Sequence, residues 1–108
     1  MRLAVVGGRA KIIRGATAFD VAENSGGRFG PAAPAVYEQW ASFRGWMDSA
    51  LLSGGTTFDP AQADAPSPAP RQIFAIGLNY RAHQVESGFA EPSEPMVFTK
   101  FVSSVAGP

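Results

Sequence analysis

The sequence predicts an α+β chain: a small N-terminal β-meander with a helix, followed by a strand–helix–strand unit. Short alternating apolar runs occupy the first part of the chain, as half-buried strands require. A stripe of apolar residues at three- and four-residue steps then runs from Pro34 to Leu52, which is helical spacing. Beyond a proline-rich stretch, two apolar runs flank a short polar segment. These changes of period place boundaries at 1–58, 59–70 and 71–108.

"RLAVV" and "AKII" flank Gly7-Gly8, a pair that can take positive φ at the tip of a tight hairpin. "ATAFDVA" follows the Arg14-Gly15 turn and reads as a third strand. In the helical segment Val36, Trp40, Phe43, Met47, Ala50 and Leu51 form one stripe, flanked by Tyr37 and Trp46. Pro34 suits its first turn and Ser53-Gly54-Gly55 its end. Gly45 weakens its interior by roughly 1 kcal/mol relative to alanine, so packing must hold this helix against the meander. Residues 59–70, "DPAQADAPSPAP", contain four prolines and read as an extended, semi-rigid connector. "QIFAI" has the unbroken apolar character of a strand buried on both faces. Gly77 breaks the run, Asn79 is placed to cap a helix over "YRAHQVE", and Ser87-Gly88 ends it. A loop with Pro92 and Pro95 leads to the strand-like "MVFTKF".

Composition narrows the function. The 108 residues make one small domain or part of a larger protein, and 45% hydrophobic with 17% charged residues is ordinary for a globular chain. Nine basic residues balance nine acidic ones, without a basic stripe for nucleic acid or a charge block for an anionic membrane. Cysteine is absent, which excludes disulfides, thiolate metal sites and a cysteine nucleophile. The first residues lack the apolar core of a signal peptide and no run approaches membrane-spanning length, so a cytoplasmic location is expected.

His83, the one histidine, precedes Glu86 by three residues. On a helix these side chains are neighbours, and a carboxylate can accept the proton on one ring nitrogen while the other acts as a base. The same spacing also describes an ordinary surface pair. The strand–glycine–helix turn before it can bind an anion at the helix start or be a turn without a ligand. Lys100, among Phe98, Phe101 and Val102, either projects into a pocket toward a substrate carboxylate or enolate oxygen or reaches solvent. Ser103 and Ser104 either donate to a ligand or cap a loop.

In wording and order, "IFAIGLNYRAHQVESG" and "PSEPMVFTKFVSSVAGP" resemble the fumarylacetoacetate hydrolase family. Gly77, Asn79, Tyr80, His83 and Glu86 match its glycine–Asn-Tyr–His–Glu segment. Phe98, Lys100, Ser103, Ser104, Gly107 and Pro108 match its Phe-x-Lys strand and small polar tail. Phe101 departs from the proline often found there.

The resemblance implies that residues 71–108 begin a catalytic domain of mixed β-roll type. It implies substrates that are β-dicarbonyl compounds or 2-oxo acids, and C–C hydrolysis, decarboxylation, or hydration and isomerisation as the reaction. His83 and Glu86 would be catalytic; Lys100, Tyr80, Asn79 and Ser103 would bind substrate. Magnesium or manganese, with calcium as a further candidate, would serve the complete enzyme, expected to be a homodimer. Its carboxylate ligands would lie beyond Pro108 with none in this chain, so no turnover is expected from residues 1–108 alone. The rival expectation is a non-catalytic docking or folding module that engages a partner protein through Trp40, Trp46 and Phe43, if any of them is exposed.

Overall fold

The computed structural model describes residues 2–90 and 92–107, so Pro108 of the resemblance, and Glu91 of the loop, lie outside the described residues. The chain is α+β and divides into two compact units, residues 2–69 with 105–107, and residues 70–104.

The first unit is built on a five-stranded antiparallel sheet. Strands β1 (Arg2–Val6) and β2 (Arg9–Arg14) form a hairpin with Val6 opposite Arg9. Gly7 and Gly8 at its tip have φ of 57° and 73°, the paired positive values of a two-residue hairpin turn. Strand β3 (Thr17–Asp20) pairs with β2, and β4 (Thr56–Thr57) with β3. Strand β5 (Ala63–Asp64) pairs with β1, giving the order β4-β3-β2-β1-β5. Part of the proline-rich stretch is therefore built into this sheet, and the Gly8 amide donates to Asp64 Oδ2 at 2.8 Å.

Two expected elements come out differently. The third strand stops at Asp20, and Val21–Asn24 form the short helix α1. The Asp20 side chain accepts the Glu23 amide at 3.0 Å and so caps a helix where continued strand was expected. The single helix over 34–52 is two, α2 (Ala33–Glu38) and α3 (Trp40–Met47). Gln39, at φ −113° and ψ 29°, leaves the helical path between them. The break re-aims α3, putting the Phe43 ring edge-on to Phe29 at 5.6 Å. Leu51 falls beyond the end of α3 and is 95% exposed instead of joining the stripe.

Val5, Ala10 and Ile12 of the sheet meet Val21, Phe29, Ala33, Val36 and Phe43 in one buried cluster, with Leu3, Trp46, Met47 and Leu52 packed against it. Of the three residues expected to anchor a partner if exposed, Phe43 is completely buried and Trp46 half-buried, while Trp40 is 40% exposed.

Asp20, 4% exposed, is the one buried charged residue among the described residues. Arg9 Nε donates to it at 2.6 Å, Arg9 Nη2 at 2.8 Å and Lys11 Nζ at 2.9 Å. Burial acts to raise the pKa of the carboxyl; the bonds from Arg9, Lys11 and the Glu23 amide outweigh it and hold the group well below the usual carboxylate range. A depressed folded-state pKa stabilises the fold fully above the unfolded value of about 3.9, and this is lost as pH falls through the folded value. Asp20→Asn is expected to cost on the order of 2–3 kcal/mol at pH 7, below the figure for a fully buried pair because Arg9 is 40% exposed. Urea melts between pH 7 and 2 should show wild-type stability falling below about pH 4 and the variant nearly flat over that range. Parallel pH profiles would remove Asp20 as the acid-sensitive group.

The second unit is a hairpin with one helix: β6 (Ile73–Gly77), α4 (Arg81–Ser87) and β7 (Met96–Lys100). The strands are antiparallel, with Ile73 opposite Lys100, Ala75 opposite Phe98 and Gly77 opposite Met96. The strand expected to be buried on both faces is not. Ile73, Ala75 and Gly77 are half-buried, but Phe74 is 66% exposed and Ile76 49%. Alternation accounts for this: in a two-stranded ribbon one face turns toward cover and the other does not. No described residue of 70–104 is fully buried. Among the described residues no helix is long and apolar enough to cross a membrane.

Candidate active site

The site is assembled where β6 ends. Gly77 is the last residue of the strand, and the positive φ falls one residue later, on Leu78 at 50°. A leucine in the left-handed region is disfavoured and persists only where its surroundings hold it. Here the Gln84 side chain reaches back from α4 and donates Nε2–H to the Leu78 carbonyl at 2.9 Å. Tyr80, at φ −120° and ψ 130°, is the cap residue of α4 in place of the expected Asn79, and it makes no side-chain capping bond. Its carbonyl accepts the amides of His83 and Gln84 at 3.0 and 3.1 Å, which starts the helix. Gly88, at φ 71°, ends it.

On α4, His83 Nδ1 and Glu86 Oε2 stand 3.8 Å apart, an ion-pair separation longer than a hydrogen bond. The His83 side chain is 63% exposed and that of Glu86 83%. The imidazole is not directed only to bulk water. His83 is one of the residues lining a cleft of about 290 Å³, together with Gly77, Leu78, Phe89, Met96 and Phe98. Gly77 makes room there: a Cβ added to it would lie 3.5 Å from both Met96 Cε and Phe98 Cε1.

Lys100 does not line the cleft, but alternation along β7 places it on the same sheet face as Met96 and Phe98. Ser103 lies in the 3-10 turn Val102–Ser104, where Ser104 Oγ donates to the Phe101 carbonyl at 2.8 Å. Tyr80, 74% exposed, and Asn79 border the Leu78 turn outside the cleft lining. The fold thus makes His83 and Glu86 neighbours and gives His83 a cleft shared with Phe98, whereas Lys100, Tyr80, Asn79 and Ser103 are not among the residues that line it. Leu78, Gln84, Phe89 and Met96 were missed as site residues. Helical spacing places Gln84 one turn from Tyr80, but nothing local marks Phe89 as a wall. Among the described residues no three histidine or acidic side chains gather as a metal site would require, so no metal-dependent step can be derived from this chain.

No family model matches the chain. A crystal structure of a protein provisionally named HpcE from Mycobacterium smegmatis superposes on all of the chain with a TM-score of 0.92 and 42% identity, the match covering 38% of that protein. A mitochondrial oxaloacetate tautomerase, fahd2, of Xenopus laevis is 46% identical over 44 residues, 41% of this chain and 14% of the tautomerase. A provisionally named hydrolase of Burkholderia ambifaria is 37% identical over 71 residues, 57% of this chain and 25% of that protein. Fold and sequence together make the chain similar to α+β proteins, among them ones named as a hydrolase and a tautomerase. Their names and the shared fold agree with the resemblance to the fumarylacetoacetate hydrolase family, and the chain spans from 14% to 38% of these relatives' lengths.

Proposed function

We propose that this chain supplies the acid–base dyad of a metal-dependent fumarylacetoacetate hydrolase family enzyme acting on β-dicarbonyl or 2-oxo acid substrates. The observation that carries this reading is His83 at the edge of a cleft with a carboxylate 3.8 Å from its Nδ1. Glu86 steers the Nδ1–H and stabilises the charged ring that forms on protonation. Nε2 is then left to take a proton from water, for C–C hydrolysis, or from the carbon beside the oxo group, for tautomerisation. Lys100, on the strand face that forms the cleft wall, supports the negative oxygen that develops on the substrate. Asn79 and Tyr80 shape the approach to the site, and Ser103 donates to the substrate's polar end. The cation, magnesium or manganese with calcium as a further candidate, is assigned to ligands in the part of the relatives' length that this chain does not span.

The name of the Xenopus relative makes an oxaloacetate-like 2-oxo acid a natural first substrate. The test is an assay of the full-length protein carrying this segment, with Mg2+ or Mn2+ supplied, on oxaloacetate and acylpyruvate-type compounds. Tautomerisation, C–C cleavage or decarboxylation is expected. Absence of all three with either ion overturns the proposal.

A further inference from the structure

We propose that the cleft beside His83 receives an aryl or other ring-sized apolar substituent of the substrate, and that the substrate's carboxylate lies outside it. This rests on the 2-oxo acid reading above and assigns a polarity to that site. Five of the six lining residues, Gly77, Leu78, Phe89, Met96 and Phe98, are apolar, and the sixth is His83 itself. No lysine or arginine lines it. A carboxylate placed there would lose hydration without gaining a cation, a cost that an apolar group avoids. Lys100 lies two residues beyond Phe98 on the same sheet face, about 7 Å along the strand. A substrate with its tail over Met96 and Phe98 keeps that tail beside His83 and leaves its carboxylate free to point along the strand toward Lys100.

The volume, about 290 Å³, suits a substituent rather than a whole cofactor. Two features give the cleft its depth. The missing side chain of Gly77 leaves its floor low, and the unbranched Met96 can move to fit the guest. Gly77 sits in an ordinary strand conformation, so a methyl added there would make normal contacts with Met96 and Phe98 and raise the floor without straining the backbone.

The experiment uses the 108-residue chain labelled with 13C at methionine methyls and the histidine ring, titrated in an NMR tube with three probes. Pyruvate carries the head without a tail, 2-oxo-4-phenylbutanoate both, and 4-phenylbutan-2-one the tail without the carboxylate. We expect 2-oxo-4-phenylbutanoate to bind about tenfold or more tighter than pyruvate, shifting both the Met96 methyl and the His83 ring. Gly77→Ala should reduce that preference to about twofold while leaving the dispersed spectrum intact. Equal affinity for the two oxo acids overturns the apolar assignment and leaves the 2-oxo acid reading standing. If the ketone binds as tightly as 2-oxo-4-phenylbutanoate, the apolar cleft is retained and the carboxylate-recognising reading fails. If no probe shifts Met96, or Gly77→Ala leaves the preference unchanged, the inference is overturned.

Discussion

Replacing His83 with alanine in the full-length protein is expected to lower turnover by about 10²–10⁴-fold, the range for removing a general base. The expectation depends on geometry: Glu86 stands 3.8 Å from the His83 Nδ1, and His83 is one of the residues lining the apolar cleft. Stability should hardly change, within about 0.5 kcal/mol, because the side chain is 63% exposed. Loss of rate with the fold intact is the signature of chemistry instead of packing. Glu86 acts through His83 and is a positioning residue, so Glu86→Gln should lower kcat more than it raises KM. Lys100→Met should likewise lower kcat, because the oxygen it supports becomes negative only as the reaction proceeds. An unchanged rate in His83→Ala would remove the imidazole from the mechanism and reduce the pair to surface charge.

Much of this arrangement was legible because the signals were local. Gly7-Gly8 requires positive φ and a hairpin follows; His83 and Glu86 are three apart and a helix makes them neighbours. One miss was also local and could have been read. Asp20 with Glu23 three residues later is the spacing of a helix start, but the apolar alternation around Phe19 suggested that the strand ran on. The other misses were not local. Nothing in "YEQWASF" marks Gln39 as a break, because glutamine is a good helix former; the break is imposed by seating Phe43 against Phe29. The same holds for the cleft. Phe89 follows a left-handed Gly88 and is brought to Met96 and Phe98 only when the hairpin pairs Gly77 with Met96. Periodicity reports which face of an element is apolar, not which distant side chain meets it.

That limit bears directly on the first unit, where Phe43→Ala is expected to cost about 3–5 kcal/mol. Phe43 is completely buried, with Phe29 edge-on at 5.6 Å, Trp40 tilted at 5.6 Å and Trp46 tilted at 5.8 Å. Truncation removes the ring on which the other three converge and leaves a cavity that the sheet residues Val5 and Ile12 cannot close without moving the hairpin. Small domains have about 5–15 kcal/mol of stability in total, so the variant should be partly unfolded at 37 °C. Phe43→Leu keeps most of the volume and should cost less than about 1.5–2 kcal/mol. Both can be followed by urea denaturation read through Trp40 and Trp46, the two tryptophans, which flank the altered ring. A Phe43→Ala midpoint close to wild type, with an unchanged slope, would mean that the aromatic cluster does not hold the helices to the sheet, and the account of why α2 and α3 break at Gln39 would fail with it.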